Sequence, residues 1–220
     1  MSRVLVIGDT HFPACHEQYL EFVKDVHRKY KCNKVVHIGD VVDHHTISFH
    51  KKHPESLGAC AEYTKAKESI IKWQRVFNDV LVCIGNHDER VFRLAADQGI
   101  PQLYIKHYKE IYETKNWRWD YNHIIDGVYY SHGTGTGGMF PAFNVMKSQA
   151  CSCVLGHHHS IAGINWLVGP KTRYFGMDVG SGVNHTHLGF SYGQNHIKKP
   201  IVSCGVVIDG KHPYLEVMEL

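Results

Sequence analysis

Long apolar runs are missing from this chain. No stretch of its 220 residues approaches the roughly 18 consecutive apolar residues needed to span a bilayer, so no membrane-spanning helix is expected. The first residues enter a strand pattern at once, with neither a basic segment nor an apolar core before it, so no secretory leader is expected. Cysteine pairing is missing too. The seven cysteines are an odd number, which argues for free thiols in a reducing cytosol and a cytoplasmic location. Cys151 and Cys153 have no second pair at zinc-finger spacing and read as strand residues near the core. Charge bias is weak: a net charge of +3 does not by itself argue for a nucleic-acid partner. There is no internal repeat, low-complexity tract or linker, so residues 1–220 are expected to form one domain.

Histidine is what the chain has in excess, with 19 residues. Many of them fall at one kind of place. Residues 80–84 are five apolar residues in a row, the pattern of a buried strand, and Gly85-Asn86-His87-Asp88 follows at once. A glycine there is expected to let the chain turn sharply as it leaves the strand. The same grammar recurs where residues 3–7 meet Gly8-Asp9-Thr10-His11 and where residues 34–38 meet Gly39-Asp40 and Asp43. It recurs again where residues 128–130 meet Ser131-His132-Gly133 and where residues 152–155 meet Gly156-His157-His158-His159. In open α/β sheets ligands bind at the carboxyl ends of strands, so all five junctions point to one site.

Between the junctions, helical spacing predicts helices over residues 17–30, 57–77, 91–98, 102–112 and 141–149. The apolar and aromatic residues of the fourth, Leu103, Tyr104, Tyr108 and Tyr112 among them, are expected in the core. Residues 117–125 and 128–131 read as a hairpin across Asp126-Gly127. Residues 161–168 and 173–177 flank Gly169-Pro170 as a second hairpin, and 203–208 and 214–218 close the chain as a third. The opening is thus βαβ and the second half mostly strands, which predicts two packed sheets with helices outside. Two polar, histidine-rich loops, 43–57 and 183–200, are expected to lie by the site and select the substrate.

The strand-end side chains are carboxylates, an amide and imidazoles, with no thiolate. That set suits Mn, Fe, Zn or Co rather than a zinc-finger ion. There are too many of them for one tetrahedral ion and enough for two ions sharing a carboxylate, an arrangement suited to phosphoryl displacement.

In their order, Asp9-x-His11, Gly39-Asp40-x-x-Asp43, Gly85-Asn86-His87-Asp88, His132 before glycine and Gly156-His157-x-His159 resemble the calcineurin-like metallophosphoesterase superfamily. The resemblance implies a four-layer α/β/β/α sandwich of two mixed sheets flanked by helices. It implies that Asp9, His11 and His159 bind one divalent metal and Asn86, His132 and His157 a second, with Asp40 bridging. The metals implied are two divalent ions, foremost Mn, with Fe, Zn, Co or Ni as alternatives. It further implies attack by a metal-bridging hydroxide, with His87 protonating the leaving oxygen and Asp88 orienting His87 from behind. Asp43 would support the Asp40 loop, and His158 would point away.

One departure bears on the substrate. The Ser/Thr protein phosphatases of that superfamily carry arginines where this chain has His44 and Ile84. Such arginines clamp a phosphomonoester dianion in bidentate fashion. Without them, a phosphodiester such as a nucleotide, cyclic nucleotide or nucleic-acid end is the expected substrate, with a phosphomonoester as the alternative. A non-catalytic scaffold is disfavoured because every ligand is kept. Arg90 and His44 are candidates for substrate contact, each with a plainer reading as a solvated side chain. His50, Lys51, Lys52, His53, Lys198 and Lys199 could meet a phosphate backbone or simply face solvent.

Overall fold

A computed structural model describes residues 1–49, 52–188 and 197–219. Its first sheet contains six strands: β1 (Arg3–Ile7), β2 (Lys34–His37), β3 (Val80–Cys83), β4 (Trp117–Asp120), β10 (Ser203–Ile208) and β11 (His212–Val217). They lie in the order β11-β10-β1-β2-β3-β4, with β1 to β4 parallel, β10 antiparallel to β1 and β11 antiparallel to β10. The second sheet is built from β5 (Asn122–Ile125), β6 (Val128–Ser131), β7 (Cys153–Leu155), β8 (Ala162–Val168) and β9 (Arg173–Val179). Its order is β5-β6-β7-β9-β8, with parallel pairs in the middle and hairpins at both edges.

Alternation along the strands separates the layers. In β1, Leu5 and Ile7 face a core shared with α1 (Tyr19–Tyr30) and α2 (Ala59–Val76), whereas Val4 and Val6 face the other sheet. Val36 and Cys83 join Val4 and Val6 against Tyr130, Val154, Phe175 and Met177 of the second sheet. The far side of that sheet packs Cys153 and Leu155 on Ala142 and Met146 of α5 (Pro141–Gln149). The layers therefore run helix, sheet, sheet, helix, as the resemblance implied.

Two expectations change. Residues 117–125 are two strands rather than one: β4 pairs with β3, the chain turns at the single residue Tyr121, and β5 begins in the other sheet. Residues 102–112 do not form a continuous helix. A short turn at Gln102–Tyr104 stops, and α4 (Tyr108–Ile111) restarts after His107, whose ring accepts from the Lys109 amide while Glu110 reaches back to the His107 amide. That local cap competes with helix propagation. Tyr108 and Tyr112 are buried, as expected, but Leu103 and Tyr104 are 79% and 75% exposed because no layer covers them.

Among the described residues, no helix is long and apolar enough to cross a membrane. All seven cysteines are free thiols, with Cys153 in β7 and Cys151 just before it.

Candidate metal centre

The carboxyl ends of β1, β2, β3, β6 and β7 converge, and with them the five ligand loops. Three groups of side chains present ligand atoms within 4.8 Å of one another: His11, Asp43 and His87, and the two that hold the expected ligands, Asp9, His11, Asp40 and His159 in one and Asp40, His132 and His157 in the other. Asp40 belongs to both of these last two. The Asn86 Oδ1 lies 3.1 Å from His132 Nε2 and completes the second of them. All seven residues expected as metal ligands are thus brought together.

Hydrogen bonding does not account for this packing. His132 Nε2 is 3.1 Å from Asp40 Oδ2, 3.1 Å from Asn86 Oδ1 and 3.1 Å from His157 Nδ1. One ring nitrogen carries at most one proton and cannot serve three such partners. His11 Nε2 and His159 Nε2 face each other at 3.0 Å. Asp9 Oδ1 is buried and has no hydrogen-bond partner among the described residues. Lone pairs converging on a point, with one carboxylate oxygen left over, are what a cation would satisfy. The donor set fits divalent metal ions.

The electrostatics agree. Burial works against a charge on His11, but its contacts with Asp40 and Asp43 outweigh it and raise the ring's pKa to about 10. His132 is likewise raised to about 9, against the cost of burial, by Asp40 and Asp9. Burial works against an ionised Asp40, yet His132, His87 and His11 hold its carboxyl well below the ordinary range. The carboxylates therefore demand positive charge, which protons supply here and a cation would supply in their place.

Local backbone geometry forces the ligands inward. His11, Asp40 and His157 adopt left-handed backbone angles, with φ of 45°, 49° and 68°. Such conformations are costly for non-glycine residues and collect at functional sites. Gly39 and Gly133 have the positive φ that suits a turn, 108° and 95°, but two other junction glycines serve differently from expectation. Gly85 and Gly156 do not occupy the left-handed region. A Cβ on Gly85 would collide with the Asp40 carboxylate, and one on Gly156 with that of Asp9. Glycine is required there for close approach rather than for the turn.

The supporting residues exchange their expected roles. Asp88 does not touch His87: its Oδ1 accepts from the Val41 and Val42 amides and its Oδ2 from the Gly85 amide. Burial and the nearby Asp40 raise its pKa to about 7, against the pull of those amides. Asp43 holds the imidazoles instead. Its Oδ1 lies 2.9 Å from His87 Nδ1 and 3.1 Å from His11 Nδ1. The physical reason is direction: Asp88 enters a turn whose amides converge on its side chain, whereas Asp43 faces two rings across the loop.

His44, a candidate for substrate contact, is tied into the protein instead. Its Nδ1 meets the His87 carbonyl at 2.9 Å and its Nε2 the buried Tyr112 hydroxyl at 2.9 Å. Arg90, also a candidate for substrate contact, is buried. Its Nη1 donates to the Asp43 and His44 carbonyls, both at 2.8 Å, and its Nη2 lies 3.3 Å from His87 Nε2. His158 is outside both ligand groups and meets Thr136 Oγ1 at 3.2 Å. Lys52, Lys198 and Lys199 are exposed; His50, Lys51 and residues 189–196 of the second expected loop lie outside the described residues.

Sequence reading missed His37, Glu62 and Tyr112. His37 ends β2 fully buried, bonded to Thr10 Oγ1 and accepting from the Gly39 amide; burial lowers its pKa to about 3 and keeps it neutral. Glu62 accepts from the His45 and Thr46 amides and so fixes the start of the loop after β2. A buried polar residue in an apolar helix stripe was the available signal for Glu62; nothing local distinguishes Tyr112 from a core tyrosine.

The model of the calcineurin-like phosphoesterase family matches residues 2–180. No curated protein matches the chain. Among solved structures it is similar to a metallophosphoesterase from Sphaerobacter thermophilus, at 14% identity and a TM-score of 0.51, covering 99% of this chain and 88% of that one. It is similar to an archaeal phosphodiesterase at 15% identity and a TM-score of 0.50, over 98% of this chain and 99% of the other. It is also similar to vacuolar protein sorting 29 from Cryptosporidium parvum, at 14% identity and a TM-score of 0.48, over 100% and 98%.

Proposed function

Because the chain belongs to the calcineurin-like phosphoesterases, and so to the hydrolases of phosphoester bonds, we propose that it cleaves phosphodiesters at a two-metal site. The observation that carries the reading is the sharing of Asp40 between two ligand groups. Asp9, His11 and His159 would hold one ion and Asn86, His132 and His157 the other, with Asp40 offered to both. Mn is the first ion to test. Divalent ions bound there supply Lewis acidity that polarises the phosphoryl group and acidifies water.

The protein's own residues do the rest. The His87 Nδ1 edge faces the Asp43 carboxylate and, at 2.7 Å, the Asp43 carbonyl, so Nδ1 carries a proton that fixes the ring. Nε2, which accepts from Arg90 Nη2 at 3.3 Å in this structure, would shed that contact to carry a proton to the leaving oxygen. Arg90 Nη2 reaches the same nitrogen, while Nη1 is anchored on two backbone carbonyls. One arm can touch a phosphoryl oxygen, but the fork is not presented for bidentate capture of a dianion. Arg93, the other arginine reaching a ligand loop, donates to the Asn86 carbonyl. This supports a diester over a monoester.

The test is metal-reconstituted hydrolysis of bis-p-nitrophenyl phosphate and p-nitrophenyl phosphate, with His87→Ala beside the wild type. The reading expects the diester to be preferred with Mn, and His87→Ala to keep its metal while losing most of the rate. Preference for the monoester would move phosphatase substrates to the front. Cleavage of neither with any metal would remove the hydrolytic reading.

A further inference from the structure

Resting on the two-ion reading of the site, we propose that His37, which lies outside both ligand groups, is a positioning residue that sets the first metal position against the shared carboxylate. It acts through two arms, one to the loop after β1 and one to the loop after β2.

The sheet itself does not ask for a histidine there. Along β2, Val35 faces the helix-side core and Val36 the sheet-side core, so alternation returns His37 to the helix side, where an apolar residue would serve. His37 and Thr10 are both 0% exposed. Burial keeps the imidazole neutral, so one ring nitrogen carries a proton and the other a lone pair. The Gly39 amide can only donate, and it lies 3.2 Å from Nδ1. Nδ1 therefore accepts, and Nε2 donates to Thr10 Oγ1 at 3.0 Å. The Thr10 hydroxyl donates in turn to the Val41 carbonyl at 3.1 Å. Every member of this chain has a partner, and only one direction of donation fits. A fully satisfied buried chain specifies one arrangement of the segments it joins.

Those segments carry the ligands. Thr10 stands between Asp9 and His11, and Gly39 directly precedes Asp40. Gly39, Asp40 and His11 all have positive φ, of 108°, 49° and 45°. For the two non-glycine residues such angles persist only where the surroundings over-determine them. The Thr10 arm bears on Asp9 and His11, which belong to the first group alone. The Gly39 arm bears on Asp40, which both groups share.

The experiment titrates metal-stripped protein with Mn by calorimetry, the tighter step being assigned to the first group by its two carboxylates. His37→Asn keeps an acceptor near the Nδ1 position and loses the Thr10 arm. His37→Gln keeps a donor near the Nε2 position and loses the Gly39 arm. Thr10→Val removes the hydroxyl at nearly constant shape, and Thr10→Ser retains it. Near-ultraviolet circular dichroism of the metal-free variants checks folding, and if the His37 variants do not fold, the Thr10 pair carries the test. His37→Asn and Thr10→Val are each expected to weaken the first step about tenfold and to hold the second within about twofold, with Thr10→Ser at the wild-type value. His37→Gln is expected to weaken both steps about tenfold. The double variant His37→Asn/Thr10→Val is expected to lose about tenfold rather than about a hundredfold, because both substitutions remove one contact. Unchanged Mn affinity in the folded variants, equal losses on both steps from Thr10→Val, or multiplicative losses in the double variant would overturn the proposal. A wild type that takes up a single ion would remove the two-ion reading instead. The double-variant comparison is then read on that ion, where a shared loss upholds the role of His37 and multiplicative losses refute it.

Discussion

The two ligand groups of the site are made of unequal material. The first has two carboxylates, Asp9 and Asp40, and a third, Asp43, directly behind the His11 ring. The second has only the shared Asp40, the neutral Asn86 and two imidazoles, and its His132 is backed by the Ile38 carbonyl at 3.1 Å. A carboxylate behind a ligating imidazole makes that ring more basic than a carbonyl does. The same strand-to-loop grammar therefore builds one strongly anionic position and one weakly anionic one. A metal titration of stripped protein is expected to show two steps, with the first group filling before the second.

The comparison breaks most completely at the residue the groups share. Asp40→Asn is expected to abolish metal retention at both positions and activity with it, read by elemental analysis and hydrolysis. Next comes His87→Asn, which leaves both metals in place and lowers kcat by roughly 10²–10⁴-fold. Asp43→Asn sharpens the contrast: about 10–100-fold weaker metal affinity at the first group only, with the second step of the titration unmoved. Asp88→Asn separates loop support from catalysis, costing about 1–3 kcal/mol of stability through its three amides and weakening both groups alike.

The smallest effect on the site is expected from Asp178→Asn. Asp178 is buried in β9, outside both groups, and burial raises its pKa to about 6, partly opposed by the Ala142 amide. Its folded-state pKa lies above the ordinary 3.8, so the unfolded chain releases the proton first as pH rises. Wild-type stability is therefore lost between about pH 4 and pH 6, by up to about 3 kcal/mol, and the loss is complete above that window. Denaturant titrations should show the variant gaining on the wild type across this range, with metal stoichiometry and kcat unchanged.

The ligands were legible because each stands directly after an apolar strand, where topology leaves a side chain little choice of location. The layers were legible through alternation in residues such as Val4, Leu5, Val6 and Ile7. The partners behind the ligands were not. Whether Asp43 or Asp88 faces His87 depends on which amides a turn points inward, and that is a tertiary matter. The helix over 102–112 failed for a related reason: its apolar spacing was real, but Leu103 and Tyr104 had no layer to pack against. His44 followed neither of its readings, because the Tyr112 hydroxyl that binds it arrives from a segment 68 residues away.

The corner at Tyr121 has a kinetic consequence. The first sheet is complete on one side of it only after β3 and β4 pair, and the second begins immediately beyond. His159 meets Asp9 at 3.1 Å across 150 residues of sequence, one from each sheet. Contacts of such separation form late, after loop-closure entropy has been overcome. A divalent ion would thus find its full coordination only on a chain whose two sheets have already docked. It cannot hasten the early search, but by mass action it holds the finished fold shut, so added metal should slow unfolding far more than it speeds refolding.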